Sequence, residues 1–301
     1  MSRKIFCFIM GLALVCLGTL VDLESGEVKG PKIYISVDME GIGAIVSSAQ
    51  LGPKGFEYER GRKLMTAEVN AAIDGCLAAG AEEIVVSDSH GNAQNLIPDE
   101  IYEKALLIRS FPRSLLQMEG IDDTFDGVIF IGYHPKEGTP NANLAHTIWG
   151  GKIHEIKING MPVSESVFNA AVAGHFGVPV ILVAGDQNVA KEALKTFGTV
   201  ETVVTKESLG VYSAKSRHPN LICQEIKEKS KKAVERIKEF MPYIVKPPIR
   251  MELTFKHVYD AEAFSYLPWV KRLSGKTILV ETESIIDINR FLTALFSINN
   301  R

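Results

Sequence analysis

The sequence predicts an α/β fold with a mostly parallel sheet and flanking helices, plus a smaller α+β C-terminal lobe. Four short runs rich in Val and Ile, each bounded by Gly, Asp or Pro, predict buried parallel strands at 33–37, 84–87, 128–132 and 178–184. Helical segments separate them, and this alternation is typical of a parallel sheet. The chain has 301 residues, of which 46% are hydrophobic, enough for a sizeable core.

Two of the intervening helices can be predicted from the spacing of their apolar residues and from the residues at their ends. Apolar residues at helical intervals predict a helix over 58–79, with Gly80 as its stop signal. A second helix is predicted over 164–175, where Ser164 is a suitable N-cap.

The pattern changes twice along the chain. The dipeptide Asn159-Gly160 is a strong hairpin signal and predicts a β-hairpin over 152–162, which returns the chain to the sheet. Beyond residue 212 we predict, in order, a charged amphipathic helix (221–241), strands (250–256 and 277–281) and a last helix (285–298). The sequence therefore predicts an α/β domain over 31–212 and a smaller C-terminal lobe over 213–301.

The N-terminus has the composition of an export segment. Arg3 and Lys4 precede an uncharged apolar run over 5–21, and a polar stretch follows it. This pattern predicts a signal peptide or an N-terminal anchor over residues 1–24, because the apolar run is near the lower length limit of a membrane-spanning helix. We therefore expect an exported protein, periplasmic or membrane-anchored.

Charge and cysteine content exclude several classes of function. The formal net charge is −3, and no stretch interleaves Lys and Arg with aromatic residues, so no nucleic-acid partner is predicted. Beyond the export segment the chain holds the cysteines Cys76 and Cys223, and neither belongs to a CxxC motif. A thiolate zinc site or redox motif is therefore not predicted, while a disulfide between the two stays open.

Acidic residues and histidines follow three of the four predicted strands. Asp38 and Glu40 come after the first strand, His90 after the second and His134 after the third. In an open α/β sheet, ligands bind in the crevice beyond the carboxyl ends of the strands. Asp38 and Glu40 are two positions apart in an extended segment, so they point the same way and would repel each other without a cation. This placement predicts a metal site.

The donor set suits a catalytic metal site. Glu165 adds a third carboxylate beside the hairpin, giving nitrogen and oxygen donors without thiolates, a set that suits zinc, manganese or cobalt. Five candidate ligands exceed what one four-coordinate ion with an open position uses. A pair of metal ions bridged by Asp38 is the economical interpretation.

Several short motifs recur in a fixed order: SVDMEGI at 36–42, YERGR at 58–62 with LMT at 64–66, DSH at 88–90, EGIDDTF at 119–125, GYH at 132–134, TP at 139–140 and VAGD at 183–186. In this order the motifs resemble a known family, the zinc-dependent D-aminopeptidases encoded with bacterial dipeptide transporters. The resemblance runs from about Lys32 to the end of the chain. It implies a metal-dependent hydrolase that releases N-terminal D-amino acids, such as D-Ala, from short peptides.

The resemblance also implies a site and an assembly. For that family it implies two zinc ions per subunit, held by residues that match Asp38 (bridging), Glu40, His90, His134 and Glu165. It implies a catalytic histidine matching His146, in the motif NLAH at 143–146. His146 would stabilise the oxyanion or pass a proton to the leaving amine. It further implies a homo-oligomer, a decameric ring that encloses the active sites.

Two other classes of function use the same residues differently. Another dinuclear metallohydrolase, phosphoesterase-like, could use these ligands, although no Gly-rich phosphate cradle accompanies them. An exported peptide-binding protein would not need five metal ligands, so metal content separates it from an enzyme. The anchor for the substrate ammonium stays open among Glu57, Glu59, Asp88 and Asp186.

Overall fold

The computed structural model describes residues 30–299, so the predicted export segment lies outside the described residues. The strands are β1 (Lys32–Val37), β2 (Glu83–Asp88), β3 (Ala105–Ile108), β4 (Gly127–Tyr133), β5 (Ile153–Ile158), β6 (Met161–Pro162), β7 (Val180–Asp186), β8 (Glu201–Gly210), β9 (Ser213–Ser216), β10 (Ile249–Phe255), β11 (Val270–Arg272) and β12 (Thr277–Thr282). The helices are α1 (Tyr58–Ala78), α2 (Glu165–His175), α3 (Gln187–Phe197), α4 (Pro219–Glu235), α5 (Val258–Phe264) and α6 (Ile285–Asn299). None of the helices in this part of the chain has the length and apolarity needed to cross a membrane.

Sheet A carries the crevice predicted for the site. Within residues 30–299 it has seven strands in the order β3-β2-β1-β4-β7-β8-β9. All neighbouring pairs are parallel except β8 and β9, which form an antiparallel hairpin. The strand order reverses between β1 and β4, and ligands of doubly wound sheets bind at such a switch point.

Sheet B is antiparallel, in the order β11-β12-β10-β5-β6. The predicted hairpin forms β5 and β6, and its turn residues Asn159 and Gly160 have φ values of 49° and 81°, as a tight hairpin turn requires. Both sheets draw strands from either side of residue 212, where the sequence predicted the boundary between the lobes. The mixed fold, a mainly parallel sheet with helices plus an antiparallel sheet, confirms the predicted fold class.

The two faces of sheet A are covered differently. In β1, Ile33 and Ile35 pack on the side of α1 and α4, while Tyr34 packs on the side of α2, α6 and sheet B. Because successive side chains of a strand alternate between faces, a strand buried on both sides becomes an uninterrupted apolar run.

Cys76 on α1 and Cys223 on α4 are both free thiols, so no disulfide joins them.

Candidate metal centre

The structure brings the five predicted ligands together at the switch point of sheet A. Asp38 and Glu40 follow β1, His134 follows β4, and His90 follows β2 on the other side of β1. Glu165 is the first residue of α2, whose N-cap Ser164 accepts a hydrogen bond from the backbone of Val167. The exposed fraction of each of the five residues is 8% or less. They therefore form one buried polar cluster, in which a charge cannot be compensated by bulk water.

Two glycines allow the loop after β1 to approach the end of β4. A Cβ on Gly41 would lie 1.9 Å from the carbonyl oxygen of Tyr133, and a Cβ on Gly132 would lie 2.1 Å from the carbonyl oxygen of Asp38. Gly132 also has a φ of 71°, which disfavours any other residue. This contact sets the distance between Asp38 and His134.

One half of the cluster is built around Asp38. Its Oδ1 lies 3.2 Å from Nδ1 of His90, and its Oδ2 lies 3.3 Å from Nε2 of His134. Oε2 of Glu40 lies 2.9 Å from the same Nδ1 of His90. The two oxygens of Asp38 thus face two different histidines, which is the geometry of a bridging carboxylate.

The other half joins His134 to Glu165 and His146. Oε1 of Glu165 lies 3.3 Å from Nε2 of His134 and 3.6 Å from Nε2 of His146. The two imidazole rings stack with centroids 4.1 Å apart. Donor atoms of His134, His146 and Glu165 lie within 4.8 Å of one another, as do those of Asp38, Glu40 and His134. These distances are therefore compatible with two roles for His146: a metal ligand, or a group that lies beside the metal site without binding the ion.

Each of the three histidines has one ring nitrogen fixed by a backbone carbonyl. The acceptors are the carbonyl oxygens of Leu51 for Nε2 of His90 (2.7 Å), Pro135 for Nδ1 of His134 (2.9 Å) and Leu144 for Nδ1 of His146 (3.0 Å). A carbonyl only accepts, so each of these nitrogens carries the proton. In the neutral form that binds a metal ion, the other nitrogen of each ring would turn a lone pair toward the carboxylates, the arrangement typical of metal-binding histidines.

These residues fit a bound metal ion. Nε2 of His134 and Oε2 of Glu40 are buried, and while the rings are neutral each faces only other acceptors: the oxygens of Asp38 and Glu165 at 3.3 Å, and Nδ1 of His90 at 2.9 Å. Leaving such atoms without a partner is costly, and a cation between them would remove that cost. Imidazole nitrogens with carboxylate oxygens are the donors of catalytic zinc sites.

The pKa values of the cluster also indicate that its carboxylates are stabilised by nearby positive charge. Burial lowers the pKa of His90 and His134, but the carboxylates around them outweigh it and hold both pKa values well above the usual value. Burial raises the pKa of Glu165, yet His134, His146 and a hydrogen bond from Gln117 bring it down to about 2. Burial and the neighbouring Glu40 raise the pKa of Asp38. Without positive charge, the carboxylates could not all stay ionised.

The sequence analysis missed the two groups that orient Glu165. Nε2 of Gln117 donates to Oε2 of Glu165, and the backbone N–H of Ile148 donates to Oε1 at 2.6 Å. The φ of Ile148 is 58°, an unusual conformation for a β-branched residue. The side-chain oxygen of Gln117 in turn accepts from Nδ2 of Asn169.

We expect Gln117→Leu to weaken metal binding about 10- to 100-fold, the usual cost of removing a hydrogen-bond partner of a metal ligand, which is the role predicted for Glu165. The change removes the donor to Glu165 and leaves one carboxylate oxygen free to rotate. Competition with a chromogenic chelator measures the affinity. The matched control is Gln224→Leu on the exposed side of α4, where Gln224 bonds only Glu228 among the residues described. Equal zinc affinity in both variants would contradict this role for Gln117.

A second feature missing from the sequence analysis is the buried Lys206 on β8. Its Nζ donates to the carbonyl oxygens of Glu40 and Ile45, at both ends of the loop that leaves β1. Burial lowers the pKa of Lys206 to about 8. Glu68 binds the same loop through the backbone N–H of Gly43 at 2.8 Å. The loop that carries Glu40 is thus held from β8 and from α1.

Two of the candidate ammonium anchors serve the fold instead. Asp88 is fully buried and accepts hydrogen bonds from the backbone N–H groups of Asn95 and Leu96. Asp186 is the N-cap of α3 and accepts hydrogen bonds from the backbone N–H groups of Asn188 and Val189. Neither carboxylate is placed to receive a substrate ammonium.

Comparison with known proteins shows the class to which this fold and site belong. A sequence profile of peptidase family M55, the D-aminopeptidases, matches residues 32–294. The D-aminopeptidase of Bacillus subtilis (strain 168) is 34% identical over 248 residues, which cover 82% of this chain and 89% of that protein. The solved structure of the zinc-dependent D-aminopeptidase DppA from Bacillus subtilis, a self-compartmentalizing protease, superposes with a TM-score of 0.85 at 30% identity and covers 88% of this chain and 97% of that one.

The fold and the matches define a hydrolase of the metal-dependent peptidase class. The chain belongs to the D-aminopeptidase family, peptidase family M55. This confirms the resemblance from which the sequence analysis predicted a metal-dependent D-aminopeptidase.

Proposed function

We propose that this D-aminopeptidase releases N-terminal D-amino acids, such as D-Ala, from short peptides with two zinc ions bound per subunit. The observation that carries the proposal is a pair of buried atoms inside the cluster, Nε2 of His134 and Oε2 of Glu40, which face only other acceptors while the histidines are neutral. Zinc is the metal of the Bacillus subtilis relative DppA, which supports the choice of ion.

The two halves of the cluster would each hold one ion. Glu40 and Nδ1 of His90 would bind the first, and Glu165 and Nε2 of His134 the second. Asp38 would bridge them, since its oxygens already face both histidines at 3.2 and 3.3 Å. The existing hydrogen bonds on the far ring nitrogens fix the orientation of both imidazoles, so little rearrangement is needed on binding.

His146 would transfer the proton to the leaving amine. When bound, zinc acts as a Lewis acid that polarises the peptide carbonyl and makes a water nucleophilic at neutral pH. The side chain of His146 is 22% exposed, so its ring can reach both the metal site and the substrate. Its Nδ1–H is held by the carbonyl of Leu144, which leaves Nε2 free to accept a proton and pass it to the leaving amine.

A hydrolysis panel tests this function. Purified zinc-loaded protein should cleave D-alanyl dipeptides in preference to their L-alanyl counterparts, lose activity in EDTA and regain it with zinc. Phosphoesters belong in the panel, because turnover of a phosphoester without peptide hydrolysis would identify a different metallohydrolase. Tight peptide binding with no hydrolysis in the presence of zinc would favour the peptide-binding class.

We propose that the protein assembles into a large closed homo-oligomer, a decameric ring, which encloses the active sites. The support is the description of the relative DppA as a self-compartmentalizing protease. Light scattering on protein lacking residues 1–24 should give a mass about ten times that of one chain, because heterologous contacts that close into a ring yield a defined size. A monomer at micromolar concentration would contradict the ring.

We propose that the protein is exported and works in the periplasm or at the membrane. The support is the pair Arg3 and Lys4 ahead of the uncharged apolar run at 5–21. Cell fractionation should place the protein outside the cytoplasm. Replacing residue 12, Leu12, with arginine would interrupt the apolar run and should retain the protein in the cytoplasm. Cytoplasmic protein with residues 1–24 intact would contradict export.

A further inference from the structure

A cleft of about 720 Å³ adjoins the metal centre on the Glu165 side. Its lining is mixed: one part is apolar and comes from Phe111, Leu116, Ile148, Trp149 and Phe296, and the rest consists largely of hydroxyl and amide side chains, among them the buried Ser89 and Gln117. No charged side chain lines it among the described residues. Trp149 and Phe296, from the loop before β5 and from α6, lie 5.3 Å apart between ring centroids and form the apolar end.

The cleft is joined to the metal centre through two shared residues. Gln117 and Ile148 line the cleft, and each also donates a hydrogen bond to Glu165. A substrate group in the cleft would therefore lie one side chain away from a proposed zinc ligand. That distance suits a residue next to the scissile bond, and not a distant part of a long peptide.

The position of His146 indicates which side of the scissile bond the cleft receives. His146 is the proposed proton donor to the leaving amine, so the leaving residue must lie beside it. Ile148 and Trp149 follow it in the same loop, and both line the cleft. The absence of carboxylates from the described lining also makes the cleft unsuited to the substrate ammonium, which belongs to the other side of the bond.

We propose that this cleft binds a bulky apolar side chain, above all an aromatic one, on the residue that follows the scissile bond. The inference rests on the proposed function, and it names peptides of the type D-Ala-D-Phe as better substrates than D-Ala-D-Ala. A volume of about 720 Å³ far exceeds the methyl group of alanine and lies in the range of sites that enclose whole small ligands. The apolar end formed by Trp149 and Phe296 favours apolar groups in proportion to the surface they bury.

Selectivity kinetics test the proposal directly. The ratio of kcat/KM for D-Ala-D-Phe over D-Ala-D-Ala should be on the order of 10-fold or more, the discrimination that apolar pockets provide. Trp149→Ala should bring that ratio close to one. The matched control is Trp269→Ala, at a tryptophan that is 64% exposed and does not line the cleft, and it should keep the ratio.

Three kinetic outcomes would overturn the proposal while leaving the D-aminopeptidase activity intact. The first is equal kcat/KM for the two substrates, and the second is a ratio that Trp149→Ala does not change. The third is a preference that follows the N-terminal residue, with D-Phe-D-Ala favoured over D-Ala-D-Ala and D-Ala-D-Phe not.

A binding experiment tests the cleft without turnover. The chain has two tryptophans, so Trp269→Phe leaves Trp149 as the sole indole reporter. In zinc-loaded Trp269→Phe protein, D-phenylalanine should saturate a change in Trp149 fluorescence at a concentration at least about 10-fold below that of D-alanine. The two probes share their charged groups, so the difference reports on the side chain alone. Equal responses would refute the cleft assignment, whereas failure of all peptide hydrolysis with selective D-phenylalanine binding would refute only the proposed function.

Discussion

Asp38→Ala is expected to lose most of both zinc ions and to lower kcat/KM on the order of 10⁴-fold or more, since changes to outer-shell partners alone cost about 10- to 100-fold. The two carboxylate oxygens of Asp38 face His90 and His134 separately, at 3.2 and 3.3 Å. Removing this side chain takes a donor from each half of the cluster at once. Loss of Glu40 or Glu165 would take a donor from one half only.

Elemental analysis of the dialysed protein, beside kinetics on a D-alanyl dipeptide, measures both effects. The matched control is Asp99→Ala, at an exposed aspartate in the short 3-10 turn 98–100, which should keep metal and activity. In EDTA the Tm of Asp38→Ala should equal or exceed that of the wild type, because burial and Glu40 already disfavour the ionised Asp38. An Asp38→Ala protein that keeps both zinc ions would disprove the bridging role.

In sheet A, the strands that could be predicted are those buried on both faces. β1, β2, β4 and β7 were predicted because each is a run of Val and Ile between turn residues. The strands missed are β3, β8, β9 and β11. β9 reads SAKS and lies exposed at the edge, so it has no apolar signal of its own, and its pairing with β8 defines it.

The centre of the site was predictable for a geometric reason. Residues that follow neighbouring parallel strands meet at one edge of the sheet, so Asp38, Glu40, His90 and His134 could be grouped from sequence order alone. Glu165 needed the hairpin turn at Asn159-Gly160, which the sequence also marks. The structure places these residues together, and their role as ligands stays a proposal.

The supporting groups could not be predicted, because they depend on loop conformations that no residue preference encodes. Leu116 and Ile148 have φ values of 48° and 58°, and they lie in the segments that bring Gln117 and the N–H of Ile148 to Glu165. Most L residues avoid such values, so surrounding contacts impose them. The role of Lys206 could not be predicted either, since a lysine in a strand usually indicates an exposed face.

His146→Ala is expected to keep its zinc and its fold but to lose about 10²- to 10⁴-fold in kcat, the usual contribution of a positioned acid or base. His90 and His134 directly follow buried strands and are 8% and 1% exposed. His146 lies in the long loop 134–152, with 22% of its side chain exposed. Its Nε2 is 3.6 Å from Glu165, farther than the 3.3 Å of His134. Loops of this kind suit transient contact with substrate better than permanent ligation.

Four alanine variants separate a proton-transfer role for His146 from ligation, when metal content is measured beside steady-state kinetics on a D-alanyl dipeptide. His90→Ala and His134→Ala should lose metal together with activity, because each removes a buried donor whose neighbouring carboxylates remain. His154→Ala, on the exposed side of β5, is the matched control and should resemble the wild type. In His146→Ala, added imidazole should restore part of kcat without changing the zinc content, because the small molecule can occupy the vacated position and carry the proton.

The stacked His134 and His146 rings are also close enough for both histidines to be metal ligands. Zinc loss in His146→Ala equal to that in His90→Ala would show that His146 is a ligand, and an unchanged kcat would show that it has neither role.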